Sequence, residues 1–135
     1  MSSSTPVIST IDSLAEVASR IGRVEALGLD TEFLRERTYR AELCLLQLTT
    51  PTGPCCVDPL ALPDLAPLAA VLGAGGPQKV LHAARQDLEV LLPVVGLVAP
   101  VFDTQVAAAL AGFPSQVGYA ELVRRVLGHE LSKAH

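Results

Sequence analysis

Between Ser9 and Ile21 the apolar residues Ile11, Leu14, Ala18 and Ile21 recur at helical spacing, so the chain is expected to open with an amphipathic helix. Ser9 and Asp12 have the spacing of a capping box, and Gly22 supplies a stop. From Val24 to Phe33 the pattern changes to an apolar, β-leaning run, which Glu42 to Thr50 (ELCLLQLTT) repeats. A third, short strand, CCVDP, follows the turn Pro51-Thr52-Gly53-Pro54, and the three predict an antiparallel meander. Beyond it the order changes. Leu65, Leu68, Val71 and Leu72 mark a helix, Gln78 to Ala83 a strand, and Leu88, Leu91 and Leu92 a helix that Pro93 is expected to end or kink. Pro100 to Asp103 reads as another short strand before the helix TQVAAALAG, and Leu122, Val123, Val126 and Leu127 line a last helix stopped by Gly128. The expected class is α/β: a mixed sheet of three antiparallel strands followed by parallel crossover strands, flanked by helices.

Length and composition narrow this further. A chain of 135 residues with 50% hydrophobic content can bury one continuous core, so a single domain is expected. A net charge of −4 gives no broad basic footprint for duplex nucleic acid, so any nucleic-acid contact must be local. Cys44, Cys55 and Cys56 are an odd count without C-x-x-C spacing, which argues against a disulfide framework or zinc site and fits a reducing cytoplasm. The start MSSSTPVIST lacks the marks of an export signal, and the apolar run VLLPVVGLVAPVF is interrupted by Pro93, Gly96 and Pro100, so no membrane partner is expected.

The candidate chemistry lies in two acidic stretches. In LGLDTEF, Asp30 and Glu32 stand two residues apart in an apolar strand and project from one face, where two like charges call for a cation or for open solvent. In LHAARQDLEVLL, a strand delivers His82 to its C-terminal end, and Asp87 falls in the first turn of the next helix. If the fold brings Asp87 beside Asp30 and Glu32, the three carboxylates suit a hard divalent cation, Mg²⁺ or Mn²⁺.

DTEF, RTYRAELCLLQL, LHAARQDLEVL, FDTQVAAAL and the helix GYAELV, in that order, resemble the ribonuclease D family of DEDD-type 3′-to-5′ exonucleases. The resemblance runs from about Leu14 to Lys133. It implies a ribonuclease H-like sheet and two-metal hydrolysis of the terminal phosphodiester of RNA, with Asp30, Glu32 and Asp87 as catalytic and metal-binding acids. Two such ions activate a water, orient the phosphate and stabilise the leaving oxygen. It also places His82 near a single-stranded RNA 3′ end, with DNA ends as the alternative substrate. The family's fourth acid is an aspartate four residues after a tyrosine, but Leu43 and Val123 follow Tyr39 and Tyr119 at that spacing. Residues 1–135 are therefore expected to be one exonuclease-like domain lacking its C-terminal helices and fourth acidic motif, with little or no activity as it stands. Loss of the covering helix is expected to expose apolar surface and favour self-association.

Each residue also has an ordinary role. Asp30 and Glu32 can be an exposed strand face, Asp87 a first-turn acid favoured by the helix dipole, and His82 a packed strand-end histidine. Asp103 can add a metal-binding acid, but its place before a helix favours a cap. Arg35, Arg37 and Arg40 form a basic cluster with the reach of backbone phosphates or of a solvated loop, and Gln47 is similarly open between substrate contact and strand surface. GAGGPQK does not match a phosphate-binding loop. Two rival functions remain: a non-catalytic nucleic-acid or protein-interaction module with the same fold, and a different two-metal phosphotransfer enzyme.

Overall fold

A computed structural model of the chain describes residues 5–35 and 41–131. Its elements run β1 (Val7–Ile8), α1 (Ile11–Ile21), β2 (Ala26–Leu34), β3 (Glu42–Thr50), β4 (Gly53–Val57), α2 (Ala66–Leu72), β5 (Gln78–Leu81), α3 (Arg85–Val95), β6 (Val101–Asp103), α4 (Thr104–Leu110) and α5 (Tyr119–Leu127). Among the described residues no helix is long and apolar enough to cross a membrane.

The strands form one sheet in the order β1-β4-β3-β2-β5-β6. As the pattern predicted, β3 runs antiparallel to both of its neighbours, β2 and β4, and β5 and β6 add in parallel, because each of the last two is reached through a helix. The pattern missed β1, a two-residue strand that pairs in parallel with β4. Several other boundaries shift. The cap of α1 is Thr10, whose hydroxyl accepts from the Ser13 amide, in place of Ser9 with Asp12. β4 begins at Gly53, inside the expected turn. β5 stops at Leu81, which leaves His82 and Ala83 in the turn that follows. Pro93 does not end α3, which continues to Val95 and stops at Gly96 with φ 85°. Pro93 and Glu89, whose carbonyl the missing N–H would have met, both lie on the exposed side, so the lost bond costs little there.

Alternation gives the sheet two unlike faces. Leu27, Leu29, Leu46, Leu48, Val57 and Leu81 are buried in one cluster with Leu14 and Ile21 of α1, Leu68 and Leu72 of α2, and Leu91 of α3. The opposite positions, Gly28, Asp30, Gln47, Thr49, Val80 and Phe102, are half-buried or exposed. This is the face that carries the site. On its C-terminal side α5 buries none of its residues.

One side chain in the buried face is charged. Lys79 is fully buried, and its Nζ donates to the carbonyls of Gly73 at 2.8 Å and Ala99 at 2.7 Å. Burial pushes its pKa down. It ties the end of α2 to the approach to β6. Gly76 closes the same turn: its amide bonds the Gly73 carbonyl, and a Cβ there would sit 1.9 Å from the Val71 carbonyl oxygen.

Candidate active site

β2 sets the first two acids. Its odd positions Leu27, Leu29 and Thr31 are buried, so Asp30 and Glu32 fall on the open face and both are exposed. Across the ladder Asp30 is paired with Gln47 and Glu32 with Leu45. Beyond Glu32 the register slips, with Phe33 opposite Leu43, and Cys44 is the extra residue of a β-bulge that bends the pair just past the acids.

Asp87 approaches from the helical layer. It lies in the first turn of α3, is buried, and accepts a hydrogen bond from the Thr31 hydroxyl, the residue between the two strand acids. Burial raises its pKa most; the Thr31 hydroxyl opposes that rise, and the charge of Asp30 adds to it. The charge of Asp30 thus reaches Asp87 from the neighbouring strand. The expected convergence of all three acids is not complete: among the described residues no three His, Cys, Asp or Glu side chains are gathered as a metal centre. The donors present still fit one. They are all carboxylate oxygens, the kind that hard divalent ions prefer, and a cation would offset the charge of Asp30, which adds to the effect of burial on Asp87.

Beside Asp30 the open face hollows into a cleft of about 450 Å³ lined by Gly28, Gln47, Thr49, His82, Thr104 and Tyr119. Gly28 forms its floor, where a Cβ would press to 3.2 Å against the Thr49 side chain. Both nitrogens of His82 are engaged: Nε2 lies 2.7 Å from the Val117 carbonyl and Nδ1 2.8 Å from the Thr104 hydroxyl. A carbonyl only accepts, so Nε2 carries a proton. His82 therefore offers the cleft its ring, packed edge-on against Tyr119 at 5.6 Å between centroids. Gln105 Nε2 donates to the same Val117 carbonyl at 3.1 Å and fixes the segment before α5.

The structure thus places Asp30, Gln47 and His82 around one cleft, with Glu32 two residues along β2 and Asp87 beneath the strand. Arg37 and Arg40 lie outside the described residues. Asp103 is the cap that its position suggested: its carboxylate accepts from the amides of Gln105 and Val106, and also from those of Ala83 and Ala84. Burial pushes its pKa up, but the amides, Ala84 first, outweigh this and hold it below the ordinary value. Four bonds leave that carboxylate committed. Sequence reasoning missed Thr31, Thr104 and Tyr119. A threonine between two strand acids reads only as a β-former, and the partners of the other two lie far away in the chain.

Residues 6–135 match the family described as 3′-5′ exonuclease. A ribonuclease D of Gluconacetobacter diazotrophicus is 50% identical over 131 residues, which cover 96% of this chain and 33% of that protein. The crystal structure of Escherichia coli RNase D, an exoribonuclease involved in structured RNA processing, superposes with a TM-score of 0.91 at 40% identity, over 98% of this chain and 36% of that one. The chain spans about a third of the length of such relatives. A Trypanosoma brucei RNase D in complex with RNA U12 has the same fold, with a TM-score of 0.83 at 19% identity over 94% of this chain and 48% of the other.

Proposed function

The chain belongs to the 3′-5′ exonuclease family, in its ribonuclease D-like branch, and from that premise we propose that it hydrolyses the terminal phosphodiester at single-stranded RNA 3′ ends with two divalent ions. Asp30, Glu32 and Asp87 would hold Mg²⁺ or Mn²⁺. The observation that carries this reading is the exposed acid pair of β2, with Asp30 lining a cleft, and a third, buried acid that feels the charge of Asp30. When bound, such ions activate water and neutralise the charge of the phosphate.

The protein's own residues do the rest. Among the described residues an RNA end meets acids at the cleft, so its phosphates approach once the carboxylates are neutralised. Gln47, opposite Asp30, offers an amide to a base or ribose, and the exposed Tyr119 ring offers a base a stacking face. The relative crystallised with RNA supports that substrate class. The described cysteines are all free, which supports a reducing cytoplasm as the setting.

A fold-retaining binding module is the second reading, favoured by the three acids' not closing into a cluster among the described residues. A 5′-labelled single-stranded RNA incubated with the chain and Mn²⁺ separates the two. We expect slow, stepwise shortening from the 3′ end, because no tyrosine in the 135 residues has an aspartate four positions on. EDTA and Asp30→Asn should each stop it. RNA that is bound but never shortened favours the module, and internal cuts would contradict both.

A further inference from the structure

α3 begins without a cap of its own, since Ala84 at its N-cap has no polar side chain. An acid three residues into a helix commonly folds back onto the N-cap amide, the second half of a capping box. Asp87 stands at that position, yet its carboxylate accepts from Thr31 on β2. The amide it would have taken is already filled. Asp103 Oδ2 accepts from Ala84 N at 2.8 Å, and Oδ1 accepts from Ala83 N at 3.0 Å. Oδ1 also accepts from Gln105 N at 2.9 Å, so one carboxylate caps α4 and seals the head of α3.

The turn between β5 and α3 needs such a hold. Ala83 has φ 57°, in the left-handed region that a Cβ disfavours, and it lies between His82 and the N-cap of the helix that carries Asp87. Asp103 is opposite Leu81 in the β5–β6 ladder, and the hydroxyl of its neighbour Thr104 lies 3.1 Å from the Leu81 carbonyl. The pair grips the turn on both sides. We propose that Asp103 is a positioning residue for the acidic site: by occupying the Ala84 amide it denies Asp87 the N-cap amide and leaves that carboxylate turned toward Thr31, between the two strand acids. This rests on the function proposed above.

Asp103→Asn tests it, because asparagine still caps α4 and takes the Ala83 amide through its one oxygen but places a donor against the Ala84 amide. Leu72→Ala, a core truncation in α2, is the control for general loss of stability. Mn²⁺ affinity is read by paramagnetic resonance, and the Thr31 methyl shift by NMR without metal. In Asp103→Asn we expect the affinity to fall about 10- to 100-fold, the range for groups that orient a metal ligand, and the Thr31 methyl signal to move. Neither should change in Leu72→Ala. Wild-type affinity in Asp103→Asn overturns the proposal. Should the wild-type chain itself take up no Mn²⁺, the metal reading fails instead, and Thr31 decides: a moved methyl signal upholds the positioning role and an unmoved one overturns it.

Discussion

Asp87→Asn is expected to weaken Mn²⁺ binding by at least about 100-fold, more than the loss of an orienting group costs, while leaving the metal-free fold as stable as before or more so. The two effects share a cause. Asp87 is buried and repelled by Asp30, so in the folded chain its pKa lies above the ordinary 3.8. The folded state then binds more protons than the unfolded one between 3.8 and that raised value. Whatever stability this carboxyl contributes is present below 3.8 and is lost as pH rises through the folded pKa. At pH 7 it is gone. Asparagine cannot ionise and still offers an oxygen to the Thr31 hydroxyl, so the variant should gain about 0.5–2 kcal/mol at neutral pH, as is usual when a functional strain is relieved. Urea denaturation in EDTA at pH 7 and again in acid checks the sign: the gap between variant and wild type should close as pH falls. A variant less stable than wild type at pH 7, or one with unchanged Mn²⁺ affinity, contradicts the assignment of Asp87.

Lys79→Ala should cause the largest loss of stability of any single truncation considered. The side chain is fully buried and bonded to two carbonyls, one in the turn after α2 and one before β6. Removing its stem opens a cavity, at about 2–5 kcal/mol for a long core side chain. It also leaves the Ala99 carbonyl without its lysine, a further cost of about 1–3 kcal/mol. Gly73 suffers less, because its carbonyl keeps the Gly76 amide. Against a whole-domain stability of about 5–15 kcal/mol, such a loss leaves the chain barely folded. Lys79→Met keeps the stem and gives up only the two bonds, so it should recover more than half of the deficit. Equal midpoints for the alanine and methionine variants would show that the packing of the stem contributes nothing.

What the sequence disclosed depended on range. The period of two in ALGLDTEFL and ELCLLQLTT was legible because each strand has one buried face, and the same alternation put Asp30 and Glu32 on the open side. Two-residue β1 was not legible, since Val7–Ile8 is too short to show a period and is held by pairing with β4 through the Cys56 and Asp58 amides. The cap of α1 was misread by one residue because Ser9 and Thr10 offer the same hydroxyl. Asp103 was half legible: its role at α4 is local, whereas the amides of Ala83 and Ala84 lie 20 and 19 residues back. Lys79 was invisible for the same reason, with one of its acceptors 20 residues away. A lysine in an amphipathic strand ordinarily points to water.

The claim that everything functional rests on is that Asp30, Glu32 and Asp87 together form a divalent-metal site. Paramagnetic resonance of Mn²⁺ titrated into the wild-type chain and into Asp30→Asn addresses it without any substrate. Saturable binding by the wild-type chain is expected, with a loss of at least about 100-fold in the variant, the scale expected when a ligand itself is removed. Equal Mn²⁺ binding by the two proteins, or none by the wild-type chain, would contradict it.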